Sequence, residues 1–155
     1  MTENEILLNN LLALAVKVAT EAHAGQVDKG GKPYINHPQA VAASLSDTEY
    51  KIVAYLHDVC EDTPVTFDDL RNMGFTDRIV NSIRLITKSK DVAYEEYLRR
   101  VSTDDCARAV KIADIRHNMD ITRIPAPTEK DYARIEKYRK ALAFLESSVH
   151  EESVL

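Results

Sequence analysis

The stretch Val53-Ala54-Tyr55-Leu56-His57-Asp58-Val59-Cys60-Glu61-Asp62-Thr63 is the most informative part of this chain. An apolar run leads directly into the adjacent pair His57-Asp58, and two more carboxylates, Glu61 and Asp62, follow about one helical turn later. Imidazole suits borderline transition metals and carboxylate suits harder ions, so a mixed set favours manganese, iron, cobalt or zinc. The stretch therefore predicts an apolar helix that carries a metal site together with acid/base groups.

Apolar residues outside this stretch recur with a helical period, most clearly in a first helix that we expect to end near Ala24-Gly25. The apolar stripe of that helix consists of Ile6, Leu7, Leu11, Leu14, Ala15, Val18 and Ala19. Further helix starts are indicated by the capping pairs Ser46 with Glu49, Thr66 with Asp69 and Thr128 with Asp131, and by Thr76 and either Thr103 or Asp104. The pattern predicts an all-α fold, a compact bundle of about eight helices, with at most a short extended segment between Val27 and Ile35.

The length and charge of the chain limit its class. With 155 residues it is expected to form a single domain spanning 1–155. A net charge of -5 argues against nucleic acid as a partner. No apolar run reaches the roughly 18 residues of a membrane span, so no membrane partner is expected. The acidic N-terminus and the two cysteines, Cys60 and Cys106, which lack metal-ligand spacing, favour a cytoplasmic protein. The sequence leaves open whether it forms a homo-oligomer.

Two other segments supply residues that fit the same metal site. His37 lies twenty positions before His57, and Asp114 lies between Ile112 and Ile115 in an apolar run. A carboxylate there is costly to bury without a partner. Side chains from separate helices commonly build metal sites inside helical bundles. Four protein ligands would leave coordination positions for water and substrate, as in catalytic metal sites.

The carboxylates Glu61 and Asp62 are the predicted catalytic groups. A divalent ion lowers the pKa of water that it binds, and a neighbouring carboxylate acting as general base would complete a hydroxide nucleophile. If the electrophile is a phosphate, nearby cations would balance its charge. The sequence offers Lys29, Lys32, Lys88, Lys111 and Arg116 for that purpose.

Each of these residues also has a structural interpretation. His37 before Pro38 fits an exposed helix start, because single histidines are seldom ligands. Asp58, Glu61 and Asp62 fit a solvated acidic helix end. The metal hypothesis therefore depends on whether the separate segments meet in the fold.

The order and content of five segments resemble one known family. The chain is similar to HD-domain metal-dependent phosphohydrolases, specifically to the hydrolase domain of the RelA/SpoT-like alarmone enzymes and their stand-alone small alarmone hydrolases. The resemblance covers roughly residues 10 to 145 and is carried by residues 22–26 (AHAGQ), 29–38 (KGGKPYINHP), 56–64 (LHDVCEDTP), 85–88 (LITK) and 111–119 (KIADIRHNM).

The resemblance implies an all-helical domain that holds one manganese ion, with Glu61 and Asp62 as the water-activating pair. Its substrate would be the nucleotide (p)ppGpp, from which hydrolysis removes the 3′-pyrophosphate to leave GDP or GTP. Lys29 would contact the phosphates and Asn118 the nucleoside, and Lys88 and Arg116 are further candidates for phosphate contact. The metal ligands would be His37, His57, Asp58 and Asp114.

Two positions depart from the family pattern. Asp28 stands where the family commonly has an arginine that stacks on the base, and Ile121 stands where it often has a hydroxyl residue. Two alternatives therefore stay open. The first is hydrolysis of another phosphorylated nucleotide such as NADPH, and the second is a non-catalytic nucleotide-binding regulatory module.

Overall fold

A computed structural model describes the backbone of residues 1–154 and the side chains of residues 1–148. Within that part of the chain the helices are joined by turns and loops, and the only β pairing is one isolated bridge between Val27 and Pro33. The helices are α1 (Glu3–Ala22), α2 (Asn36–Ala43), α3 (Thr48–Leu56), α4 (Val59–Asp62), α5 (Phe67–Met73), α6 (Asp77–Ile86), α7 (Tyr94–Val101), α8 (Asp105–Asn118), the 3₁₀-helix η1 (Ile121–Arg123) and α9 (Glu129–Val154). The predicted all-α class is confirmed, and the bridge lies in the predicted extended segment.

Side-chain caps start several of the helices. Thr66 and Asp69 form the predicted capping box of α5, and Thr76 caps α6 by accepting a hydrogen bond from the Ile79 N–H. Asp104, one of two predicted alternatives, caps α8. The prediction that Ser46 begins α3 is wrong, because the carboxylate of Asp47 accepts the N–H of Tyr50 and takes the cap position.

The helix containing the His57-Asp58 pair is interrupted where one continuous helix had been expected. The backbone leaves α3 after Leu56, and α4 begins at Val59 as a single turn. His57 Nδ1 bonds to the Ala54 carbonyl oxygen at 2.5 Å, which fixes the ring at the end of α3. Consecutive side chains on one helix point about 100° apart. The break instead brings the His57 and Asp58 side chains within 3.0 Å of each other.

Two apolar cores flank α8. The larger core is built by α1, α2, α3, α5 and α6, with Ile52, Val53 and Leu56 of α3 fully buried within it. The smaller core is built by α7 and α9, with Val101 and Leu145 fully buried. Helix α8 contributes to both cores, so residues on α8 can face the line where they meet.

None of the helices within residues 1–154 combines the length and the apolar character that crossing a membrane requires.

Candidate active site

The four predicted metal ligands come together between α2, α8 and the α3–α4 junction. His37 Nε2 lies 2.7 Å from Asp114 Oδ1, and His57 Nε2 lies 3.4 Å from the same oxygen and 3.0 Å from Asp58 Oδ2. Single ligand atoms of His37, His57 and Asp58 all lie within 4.8 Å of one another. His37, His57 and Asp114 are each less than 5% exposed. These four side chains are called the donor cluster below.

The protonation of His57 fits a cation at the donor cluster. Its Nδ1–H donates to the Ala54 carbonyl oxygen, so in the neutral ring Nε2 carries the lone pair. Nε2 is buried, and it has no hydrogen-bond partner among the described residues although two carboxylates lie beside it. Burial alone would lower the pKa of His57, but Asp58 and Asp114 overcome that effect and raise it well above its ordinary value. A lone pair facing two carboxylates is favourable only with a cation between them, either a proton or a metal ion.

His37 is oriented by a second histidine. His37 Nδ1 lies 2.7 Å from Nδ1 of His117, so one ring donates and the other accepts. The pKa of His117 is lowered by burial first and then by Arg123 and His37, which favours the neutral, accepting ring. A His37 ring that donates from Nδ1 presents its Nε2 lone pair to the donor cluster. Such outer partners are typical of histidine metal ligands.

The two carboxylates of the donor cluster are also held from outside. The Tyr34 hydroxyl donates to Asp58, and Lys111 Nζ donates to Asp114 Oδ2 at 2.9 Å. Burial alone would raise the pKa of Asp114, but Lys111 and His57 hold it well below its usual range. Burial likewise opposes the effect of His57 on Asp58, whose pKa is lowered to about 2. Both groups are therefore ionised at neutral pH, as metal ligands must be.

Glu61 and Asp62 lie on α4 at the exposed edge of the donor cluster. Partial burial, followed by the negative charge of Asp58, raises the pKa of both carboxyl groups. Neither carboxylate bonds to another described residue, although Gln26 Nε2 holds the backbone oxygen of Asp62 at 3.3 Å. Both side chains are therefore free to bind water, and a raised pKa suits a general base.

A cavity of about 320 Å³ opens beside His37. The predicted substrate residues Lys29 and Asn118 both line it, and Asn118 Nδ2 donates to Asp114 Oδ1 at 3.1 Å. Arg123 and Arg134 add positive charge to the lining. The lining also contains Asp28 and Asp120, so the cavity places three cations and two carboxylates beside the donor cluster, and the cations can meet an anionic ligand.

Two side chains predicted to contact phosphate, those of Arg116 and Lys88, do not line this cavity. Arg116 pairs with Glu146 of α9 at 2.5 Å. Two positions along a helix correspond to about 200°, so Arg116 points away from the face that carries Asp114. Lys88 follows α6, and its Nζ donates to the Ser89 carbonyl oxygen at 3.1 Å. Neither side chain lines the cavity.

Sequence reasoning missed several residues of the site. Tyr34 and His117 each lie three positions from a predicted ligand, His37 and Asp114 respectively, and helical spacing could have indicated His117. Arg123 had no signal, because it enters the cavity from the loop after α8. Only the fold shows that this loop packs against the glycine loop, residues 25–36.

The sequence profile described as "HD domain" matches residues 15–147, and the chain belongs to this family. HD domains bind divalent metal ions, and the buried histidine and carboxylate groups of the donor cluster fit such an ion. The family resemblance expected from the sequence is thereby confirmed.

Two curated relatives show which members of the family the chain is similar to. The chain is 34% identical over 123 residues to the bifunctional (p)ppGpp synthase/hydrolase SpoT of Escherichia coli K12, covering 70% of this chain and 17% of that protein. It is 34% identical over 116 residues to a guanosine-3′,5′-bis(diphosphate) 3′-pyrophosphohydrolase of Haemophilus influenzae, covering 66% of this chain and 17% of the relative. The chain thus spans about one sixth of the length of these curated relatives.

A solved structure shares the fold over almost the whole chain. It is described as a metazoan ortholog of SpoT that hydrolyses ppGpp, and it superposes with a TM-score of 0.71 at 23% sequence identity. The match covers 91% of this chain and 92% of that chain. At this identity the likeness supports the fold.

Proposed function

We propose that this protein is a manganese-dependent hydrolase that removes the 3′-pyrophosphate of (p)ppGpp and leaves GDP or GTP. The observation that carries the proposal is the convergence of His37, His57, Asp58 and Asp114 next to a cavity of about 320 Å³ whose lining includes one lysine and two arginines. The names of relatives 34% identical to the chain support the substrate. Manganese agrees with a donor cluster of two imidazoles and two carboxylates.

A divalent ion at the donor cluster would polarise a phosphoryl oxygen and lower the pKa of water. The side chains of the chain supply the other requirements. Glu61 and Asp62 take the proton from the attacking water, because both are unpaired among the described residues and have a raised pKa. Lys29 lines the cavity and neutralises phosphate charge, while Asn118, fixed through Asp114, meets the nucleoside.

One observation supports the alternative substrate. Asp28 replaces the arginine expected to stack on the base, and its carboxylate is used within the glycine loop, where Oδ1 accepts the N–H groups of Gly30 and Lys32 at 2.9 Å. Base recognition must therefore come from other residues, and a different nucleotide such as NADPH is the second candidate. The non-catalytic alternative has less support, because the donor cluster and both candidate bases are present together.

The test is product analysis with metal-stripped protein, with and without manganese, against ppGpp, NADPH and simple nucleotides. We expect manganese-dependent release of pyrophosphate and GDP from ppGpp. Turnover of NADPH alone would reassign the substrate, and no turnover at all would favour the binding module. The cytoplasmic location stays a prediction, and the oligomeric state stays open.

A further inference from the structure

The loop after α8 forms the wall of the cavity that faces the glycine loop, and Arg123 is fixed within it. Arg123 Nη1 donates to the His117 carbonyl oxygen at 3.1 Å, and Nη2 lies 3.6 Å from Asp28 Oδ2. A Cβ at Gly30 would lie 2.5 Å from the Arg123 carbonyl oxygen, so the two loops are in close contact there. The guanidinium group is therefore held at its position in the lining with its side chain 24% exposed.

The surroundings of Arg123 suit a flat aromatic ring. The aliphatic side chains of Val27 and Ile124 also line the cavity, and Val27 is 65% exposed. A guanidinium plane stacks on aromatic faces, and a fixed one loses little conformational entropy on binding. Arg123 and its aliphatic neighbours therefore offer a nucleobase both a stacking surface and apolar contact.

Asp120 places a hydrogen-bond acceptor at the same wall. Its Oδ1 accepts the Thr122 N–H at 3.1 Å and the Thr122 hydroxyl at 2.5 Å, which fixes the carboxylate. These hydrogen bonds, with Arg123 contributing, lower the pKa of Asp120. Oδ2 has no partner among the described residues, and Asp120 lines the cavity. An ionised acceptor is thus available to a ligand.

A carboxylate at this position discriminates between the purines. Guanine presents two donors along one edge, N1–H and the exocyclic N2 amine, whereas adenine presents an acceptor at N1. Asp120 is exposed, and a charge-assisted hydrogen bond to its carboxylate is open to the donor edge of guanine but not to the N1 acceptor of adenine. We infer that Asp120 and Arg123 form a guanine subsite, in which Arg123 stacks on the base and Asp120 Oδ2 accepts from its donor edge. This inference rests on the proposed function, because it requires a nucleotide in the cavity.

The test measures the affinities of manganese-loaded protein for GDP, ADP and xanthosine 5′-diphosphate by titration calorimetry. We expect the wild type to prefer GDP over ADP by at least about tenfold. Asp120→Asn should remove most of that preference and strengthen binding of xanthosine diphosphate, because an amide donates to the oxygen that replaces the N2 amine of guanine. A gain of affinity for a new base is not expected from a merely structural role.

Variants of Arg123, together with a control elsewhere on the surface, distinguish a loss of base stacking from a loss of folding. Arg123→Ala should weaken all three nucleotides by about tenfold, and Arg123→Lys should not restore them, because an ammonium group has no plane to stack. Asp68→Asn is the matched control, since that carboxylate is 86% exposed on α5 and pairs with Arg71. All variants should bind manganese as the wild type does.

Equal affinity of the wild type for GDP and ADP would overturn the inference, as would an undiminished preference in Asp120→Asn. Failure of the proposed function looks different. In that case ppGpp is not hydrolysed although GDP is still preferred and the preference still depends on Asp120.

Discussion

The donor cluster and the cavity wall lie side by side but are built in different ways. His37, His57 and Asp114 are less than 5% exposed and are positioned by helices or helix ends between the two cores. The cavity wall is the loop after α8, and the cavity also carries cations at its rim, among them Lys29, whose side chain is 53% exposed. Metal chemistry therefore depends on the folded core, whereas recognition depends on loops that can change while the core stays intact.

The largest effect is expected when a proposed metal ligand of the donor cluster is removed. Asp58→Ala should abolish manganese binding and lower turnover by about 10³-fold or more, because the general bases then have no activated water to deprotonate. The measurements are metal content after dialysis and the initial rate of pyrophosphate release. Asp68→Ala, on the exposed face of α5, should change neither value. Normal turnover in Asp58→Ala would remove this residue from the metal site.

A variant of a proposed general base should separate proton transfer from metal binding. Glu61→Ala should lower kcat by about 10²-fold or more and leave manganese affinity unchanged, because Glu61 lies at the edge of the donor cluster and does not contact it. Calorimetric titration with manganese and steady-state kinetics give the two values. If manganese affinity fell together with kcat, Glu61 would have to be reassigned as a ligand.

Removing the cation that supports Asp114 should affect stability as well as metal binding. Lys111 is largely buried and pairs with Asp114 at 2.9 Å, so Lys111→Met leaves a buried carboxylate without its cation. We expect a loss of about 3 kcal/mol in the free energy of unfolding of metal-free protein. Manganese should recover part of this loss, because it compensates the same charge.

Urea unfolding in chelator and in manganese measures both effects of Lys111→Met. Lys17→Met, at an exposed position on α1, controls for the general effect of the substitution. An equal loss with and without manganese would show that Lys111 stabilises the fold without influencing the metal site.

The smallest effect is expected for the cations at the rim of the cavity. Lys29→Ala should raise KM for ppGpp about tenfold, with metal affinity and stability unchanged, because one charge-assisted contact to phosphate is lost. Arg116→Ala and Lys88→Ala should leave KM within about twofold, because neither side chain lines the cavity. A large effect of Arg116→Ala would mean that α8 presents a different face to the substrate.

Three residues of the donor cluster could be predicted from the sequence because they stand out against apolar surroundings, whereas His37 before Pro38 was suggested only by its company. Asp114 interrupts an apolar run, and His57 and Asp58 end one, so burial without a partner would be costly. The wall could not be predicted, because Arg123 and Asp28 meet only through the packing of two loops. The helix break at His57 was missed as well, since no glycine or proline stands between Leu56 and Val59 to signal the end of a helix.

Asp131 of α9 contacts two of the cations that line the cavity. It accepts the N–H of Thr128 at the start of α9, and its Oδ1 also lies 3.3 Å from both Lys29 Nζ and Arg134 Nη1. The Lys29 and Arg134 side chains are still 53% and 38% exposed, and one contact to Asp131 uses only one of the several N–H donors of each group. The third residue of α9 therefore holds two cations of the cavity in place while their other donors point to solvent, where the oxygens of an arriving phosphate can meet them.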